Sequence, residues 1–463
     1  MKAHYRTVVV ETTCEPLDIA AEVASSGIFE TYMVHESSEG WSIAGGVAAE
    51  VILSADRLRC TEFGESREER WHGDPLRQVQ DFLARLHIAD WSAYGWSAFE
   101  LAHAIAGMAV DPGVLLHLVV PETEILLSES RMVVRGLDSA SLADVEVALD
   151  RIQANVTAHR MDPAERRQQV PVDLEKGAEV YRNGVASLVG DIRSGKLQKA
   201  ILSRRVPVEA EVDFPASYRK GRRENTPARS FLLDMGGLRC FGFSPETVVE
   251  VSPGRRVVSQ PLAGTRALTG DADVDRKLRE ELISDPKELH EHAISVKVAV
   301  DELAGPCALE SVVVEEYMTV KERGSVQHLA SRVAGRMPEG CTPWDAFSAV
   351  FPAVTASGVP KHAAYEAIRG YEQFRRGPYA GAVLKVTEAG AMDAALVLRS
   401  VYAQDGQAWL QAGAGIVEHS RPERELEETR EKLRCVALSV LAPAEGPADA
   451  AALVGSGHAG HVR

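Results

Sequence analysis

The feature that most limits the possible folds is a succession of short β-branched and aromatic runs joined by tight turns. Ser230 to Met235, the pair Gly236-Gly237 and Leu238 to Phe243 read as a hairpin, because two adjacent glycines supply the positive φ of a two-residue turn. Lys199 to Val206 reads as a strand with Lys199, Ile201 and Ser203 on one face and Ala200 and Leu202 on the other. Further strands are predicted at 246–251, 325–335, 379–387, 391–402 and 408–413, and helices at 173–195, 286–304, 343–350, 360–370 and 422–441. Successive strands with short turns, accompanied by helices, predict an α+β chain built on antiparallel sheet.

At 463 residues the chain exceeds the usual size of one core, so two domains or one large elaborated domain is expected. Residues 1–165 mix β-branched runs with short helical patterns, show no catalytic constellation and read as scaffold. A polar stretch at 160–169 precedes the motif-rich region 170–442. Residues 443–463, rich in Ala, Gly and Pro, read as a loose tail. The net charge of −16 argues against a nucleic-acid partner and an anionic membrane surface. An anionic substrate stays open, because a pocket can be locally positive. Six scattered cysteines without a C-x-x-C pair fit a reducing cytoplasm. The first twenty residues lack the apolar core of a signal peptide, and the apolar stretch Leu101 to Leu127 is broken by Asp111, Pro112, Glu122 and Glu124, so no bilayer span is expected.

The densest chemistry lies in two acidic segments, DPKELHEH at 285–292 and GAGIVEHSRPERELEET at 413–429. Glu288 and Glu291 are three apart, as are Glu425 and Glu428, and Lys432 follows Glu428 by four, so each set projects from one helical face. Asp285-Pro286 and Ser420 with Pro422 also suit ordinary helix starts, and the glutamates also suit a solvated face. The Gly-Ala-Gly turn before the second helix adds backbone N–H groups beside the carboxylates, an arrangement able to share an anion with a cation. Oxygen ligands without a His or Cys cluster point to Mg²⁺ rather than Zn²⁺, which leaves His292 and His328 as hydrogen-bonding groups. A strand lysine such as Lys199 ordinarily marks an edge or surface, but beside other cations it becomes a candidate general base. Glu246, in Ser-Pro-Glu after the hairpin, becomes the matching acid if burial raises its pKa. The turns at Pro261 to Arg266 and Thr355 to Lys361 are common in themselves.

Taken in order, KAILSRRV, FGFSPE, PLAGTRAL, KELHEH, GSVQHLASRV, TASGVPK, RGPYAGAV, AALVLRSVY and GAGIVEHSRPERELEET make residues 175–441 resemble the chorismate-utilising enzymes. This family includes anthranilate, aminodeoxychorismate, isochorismate and salicylate synthases. Members that add water carry a lysine where those that add ammonia usually carry glutamine, and that position is Lys199 here. Ala263 stands where aminodeoxychorismate synthases typically have lysine. TASGVPK, residues 213–233 and residues 317–329 look like the salicylate synthases, whereas Pro378 in RGPYAGAV resembles anthranilate synthases.

The resemblance implies one large α+β domain of two packed antiparallel sheets flanked by helices, with residues 1–165 contributing strands to the same sandwich. It implies chorismate as substrate and Mg²⁺ held by Glu288, Glu291, Glu425 and Glu428. Lys199 would be the base and Glu246 the acid, Tyr379 and Arg399 would grip the enolpyruvyl carboxylate, and Gly264, Thr265, Gly413 and Gly415 would form the floor. His328, Thr355 and Lys432 would complete the binding wall. The expected protein is a cytoplasmic salicylate synthase, a monomer without a glutamine amidotransferase partner, whose product feeds siderophore or other secondary-metabolite assembly. An isochorismate synthase would share every acid, base and metal residue. A silent partner subunit would keep the fold without turnover.

Overall fold

The computed structural model describes residues 2–159, 167–324 and 326–444; most of the predicted tail and residues 160–166 of the polar stretch lie outside the described residues. Local rules account for many boundaries. Gly236 and Gly237 have φ of 59° and 80° and close the hairpin between Arg229–Met235 and Leu238–Ser244. The Asp285 carboxylate accepts the N–H groups of Lys287 and Glu288 at the head of helix Pro286–Leu303, whose first residue is proline. Asp213 and Asp271 cap helices Phe214–Glu224 and Ala272–Ser284 in the same way, two helices that the strand-and-turn reading had passed over.

Two large sheets form the body. In the eleven-stranded sheet, N-terminal strands from Arg6–Glu11 to Tyr32–Ser37 lead through Arg229–Met235, Leu238–Ser244, Ser400–Gln404 and Gln407–Ile416 to Lys199–Val208 and Gly358–Val359. In the twelve-stranded sheet, Leu262–Ala267, Val326–Arg336, Arg256–Ser259, Thr247–Val251, Met392–Leu396 and Ala382–Thr387 are continued by Ser92–Ser97 and its neighbours down to Glu65–Arg70. Strands before residue 137 therefore pair directly with strands from the motif-rich region: Ser92–Ser97 with Ala382–Thr387, and Tyr32–Ser37 with Arg229–Met235. Large-sheet pairing is antiparallel, and a short parallel pair, Ala3–His4 with Ile88–Ala89, stands apart.

The principal apolar core lies between the sheets, where Met33, Phe231 and Tyr402 of one meet Leu53, Val383 and Val249 of the other. A second cluster sits under the outer helices, with Ile19, Leu149, Phe214 and Leu433 against Val34, Phe241 and Leu410. A third packs helices Ala178–Arg193 and Pro422–Ala437 onto the strands carrying Ala200, Leu202 and Ala414. Each cluster removes one apolar face from water, the main source of stability in such a layered fold. Cys14, Cys60, Cys240, Cys307 and Cys341 are free thiols, and among the described residues no helix is long and apolar enough to cross a membrane.

Several predicted elements are redrawn. The expected strand over 391–402 is two strands: Met392–Leu396 belongs to one sheet and Ser400–Gln404 to the other. The chain crosses between them at Arg399, whose φ of 51° breaks the pleat. The strand expected from 379 begins at Ala382, because Ala380 has a φ of 60° and the Gly381 N–H closes a turn onto the Pro378 carbonyl at 2.9 Å. The last helix ends at Ala437 rather than 441, and its N-cap is Arg421 rather than Ser420. The predicted helix over 173–195 spans Ala178–Arg193.

Candidate active site

A cavity of about 310 Å³ opens between the sheets, walled by Lys199–Val208 and Gln407–Ile416 on one side and Leu262–Ala267 and Val326–Arg336 on the other. Helices Pro286–Leu303 and Pro422–Ala437 close it. Lys199, Glu246, Thr355, Tyr379, Arg399 and His328 all line it, as do Gly264, Thr265, Gly413, Gly415 and Lys432. Of the four predicted metal ligands, Glu288, Glu291 and Glu428 line it, whereas Glu425 stands off the wall.

Glu246 occupies the passage from Leu238–Ser244 in one sheet to Thr247–Val251 in the other. This passage is stitched to the one at Arg399. The Ser244 hydroxyl donates to the Glu246 carbonyl at 2.8 Å and the Leu396 carbonyl at 2.6 Å, and the Leu396 N–H donates to the Glu246 carbonyl at 3.2 Å. The Glu246 side chain is buried; one oxygen accepts the Leu262 N–H at 2.8 Å and the other accepts the Thr355 hydroxyl. Burial pushes its carboxyl up to about 7, against the opposing pull of Thr355, the Leu262 N–H, Lys199 and Arg399. A carboxyl so placed is able to deliver a proton near neutral pH.

His328 and Arg399 form a second unit. His328 Nδ1 lies 3.0 Å from the Thr265 hydroxyl and 3.2 Å from the Gly264 carbonyl, while Nε2 lies 2.6 Å from Arg399 Nη2. Guanidinium only donates, so Nε2 accepts and Nδ1 carries the hydrogen. Burial, with the nearby charges of Arg399 and Lys432, holds His328 well below its usual range and therefore neutral. Arg399 Nη1 donates to the Arg323 carbonyl at 3.1 Å, which fixes the guanidinium plane. Burial pushes the Tyr379 hydroxyl up to about 12, so it remains a donor beside Gly413.

The acidic helices meet basic side chains. Lys199 Nζ lies 2.7 Å from Glu291, Lys432 Nζ lies 2.8 Å from Glu428, and Arg266 reaches Glu288 at 3.1 Å and Asp285 at 2.7 Å. Lys432 also donates to the Gly413 carbonyl at 2.9 Å. Burial and the neighbouring Glu291 raise the Glu288 carboxyl; burial and Glu428 raise that of Glu425. The expected single cage of four carboxylates is not drawn together: among the described residues no three His, Cys, Asp or Glu side chains converge as a ligand set. Ion pairing explains the difference, since Glu288, Glu291 and Glu428 each bind a basic neighbour of their own. The donors nevertheless suit a hard divalent cation. They are all oxygen, two are raised by burial and a neighbouring carboxylate, and Glu425 Oε2 is buried without a hydrogen-bond partner.

Glycine is required where the walls come closest. A Cβ on Gly413 would lie 2.6 Å from the Leu202 carbonyl oxygen, and one on Gly415 would lie 2.8 Å from Glu291 Oε1. His292, expected to be a hydrogen-bonding group, pairs with the Ser331 hydroxyl at 2.7 Å.

Sequence reasoning missed several supports. Arg266 and Lys287 line the cavity, and Arg421 and Arg424 stand at it too; Arg266 was visible inside PLAGTRAL but had no assigned role. Arg376, buried behind the site, donates to both Glu372 oxygens at 2.6 and 2.9 Å, to the Ile201 carbonyl at 2.6 Å and to the Ala356 carbonyl at 2.8 Å. Glu372 in turn accepts the Ser203 N–H at 2.7 Å. This pair ties the strand of Lys199 to the turn of Thr355. Its i, i+4 spacing was the available signal.

Residues 30–437 match the family model of the chorismate binding enzymes. The chain is 42% identical over 434 residues to a salicylate synthase from Mycolicibacterium paratuberculosis, covering 92% of this chain and 94% of that protein. It is 38% identical over 281 residues to anthranilate synthase component 1 from Thermus thermophilus, covering 60% of each. Among solved structures, anthranilate synthase component I from Streptococcus pneumoniae TIGR4 superposes with a TM-score of 0.68 at 26% identity, covering 88% of this chain and 92% of that one. The menaquinone-specific isochorismate synthase of Escherichia coli shares the fold, with a TM-score of 0.69 at 20% identity over 94% and 95% of the two chains.

Proposed function

The chain belongs to the chorismate-binding enzymes, and from that premise we propose that it is a Mg²⁺-dependent salicylate synthase, converting chorismate to isochorismate and then to salicylate and pyruvate. The observation that carries this reading is a lysine and a proton-bearing glutamate, Lys199 and Glu246, in one cavity lined with cations. The 42% identity to a salicylate synthase over 92% of the chain supports the choice within the family.

Glu288, Glu291, Glu425 and Glu428 would hold Mg²⁺, which when bound supplies the positive charge that a ring carboxylate needs beside two acidic helices. In the first reaction Lys199 removes a proton from a water as its oxygen bonds to ring C2. Glu246 gives its proton to the oxygen leaving C4, with the ring electrons shifting between the two carbons. Water is consumed and water is released. The glycines at 413 and 415 keep the floor clear for the ring. Arg399, held by His328 and the Arg323 carbonyl, offers a fixed fork to the enolpyruvyl carboxylate, with Tyr379 as a second donor.

In the second reaction the hydrogen on C2 moves to the enolpyruvyl methylene while the C3–O bond breaks, leaving pyruvate and an aromatic ring. No side chain exchanges a proton, so the site contributes chiefly by holding a reactive conformer. Incubation with chorismate and Mg²⁺, with an EDTA control, tests the proposal: salicylate with one equivalent of pyruvate is expected. Isochorismate alone would assign an isochorismate synthase, and untouched chorismate a silent subunit.

A further inference from the structure

Behind Glu246, away from the main cavity, lies a second cavity of about 20 Å³, bounded by Glu246, Thr355, Ser259, Gln260 and Glu302 with Ala299 and Val354 among its apolar walls. A void of about 10–15 Å³ is enough for one water when two to four polar partners surround it. Glu302 stands near the end of helix Pro286–Leu303, 18% exposed and paired with Lys361 at 2.6 Å. Lys361 is anchored in turn on the Val350 carbonyl at 2.9 Å. Glu302 therefore borders both this cavity and solvent, whereas Glu246 is 2% exposed and lines the main cavity as well.

We propose that Glu302, one water in the small cavity and the Thr355 hydroxyl form a relay that returns a proton to Glu246 after it has protonated the leaving oxygen. The inference rests on the reading of Glu246 as the general acid. The Thr355 hydroxyl already donates to Glu246, so its hydrogen passes to that carboxylate as the water gives one to the Thr355 oxygen. Glu302 replaces the water's proton and takes one from solvent. One proton moves inward and only O–H bonds are exchanged; the proton held by Lys199 leaves through the main cavity. Burial, opposed by Lys361 and assisted by Asp301, raises Glu302 to about 6, close to the value of about 7 for Glu246, where Lys199 and Arg399 are the nearby cations. Donor and acceptor so matched exchange a proton without a large uphill step.

The test uses the full chain with chorismate. Glu302→Gln removes the proton carrier, and Ala299→Val fills the void without touching a charge. Both variants are expected to lower kcat about three- to tenfold, raise its solvent deuterium isotope effect and leave kcat/KM for isochorismate formation unchanged, because the return step follows the first commitment. A small exogenous acid should restore kcat in Glu302→Gln. Two folded variants with wild-type kcat and isotope effect overturn the relay, as does a parallel fall of kcat and kcat/KM. Wild-type protein that leaves chorismate unchanged overturns the general-acid reading instead.

Discussion

Replacing Thr355 by valine should make Glu246 a weaker acid and move the alkaline limb of the pH profile upward. Valine keeps the shape of threonine and loses only the hydroxyl that donates to Glu246. A hydrogen bond to a charged group contributes roughly 1.5–3 kcal/mol. At about 1.4 kcal/mol per pKa unit, its loss corresponds to one to two units. The bond lowers the carboxyl from a value set mainly by burial, so the variant should titrate about one to two units above the wild-type value of about 7. Glu246 must be protonated to act, so the fall in kcat/KM for isochorismate formation with rising pH should move from about 7 to about 8–9. The assay is isochorismate and salicylate formation from chorismate across pH 5.5–9.5 at saturating Mg²⁺, with Thr355→Ser as the variant that keeps the hydroxyl. A limb that stays in place or moves toward acid in Thr355→Val would refute the assignment of Glu246 as the acid.

Lys199→Ala should slow conversion of chorismate about 10²–10⁴-fold yet still form salicylate and pyruvate from added isochorismate, because the proposed second reaction uses no base; product chromatography with each substrate separates the two steps. Gly415→Ala should reduce turnover with little change in Tm, since its methyl meets the flexible end of Glu291, whereas Gly413→Ala presses on the Leu202 backbone and should cost about 1–3 kcal/mol in chemical denaturation. Arg376→Leu leaves Glu372 buried and unpaired, and should lose about 3–5 kcal/mol by the same measurement.

The acidic helices were legible because their signals are local: Asp285 and Pro286 fix where the first begins, and spacing alone sets Glu288 and Glu291 on one face. The hairpin at Gly236-Gly237 was legible for the same reason. Arg399 was read as lying within a continuous strand, because nothing in Leu398-Arg399-Ser400 marks a positive φ; the turn is imposed by the passage between sheets. The meeting of Arg399 with His328, and of Glu246 with Thr355, joins residues far apart in the chain, a relation no period within one segment encodes. Glu425 was grouped correctly by face with Glu428, yet its depth beneath the cavity wall depends on packing of the last helix against Ala178–Arg193. Glu372 and Arg376 carry an i, i+4 spacing in sequence, but nothing local shows that the pair is buried and acts as a brace.

The paired passages at Glu246 and Arg399 restrict where this chain can be opened. A circular permutant cut at the hairpin Gly236-Gly237, or at the turn of Asp405 and Gly406, interrupts only a link between adjacent strands of one sheet, and such surface turns tolerate new termini. A cut at 245–246 or 398–399 would free the Glu246 or Arg399 side chain from one of its two anchoring sheets while leaving the list of strands intact. Such a permutant should fold and bind poorly ordered substrate without turning it over, so permutation separates the scaffold's tolerance from the site's.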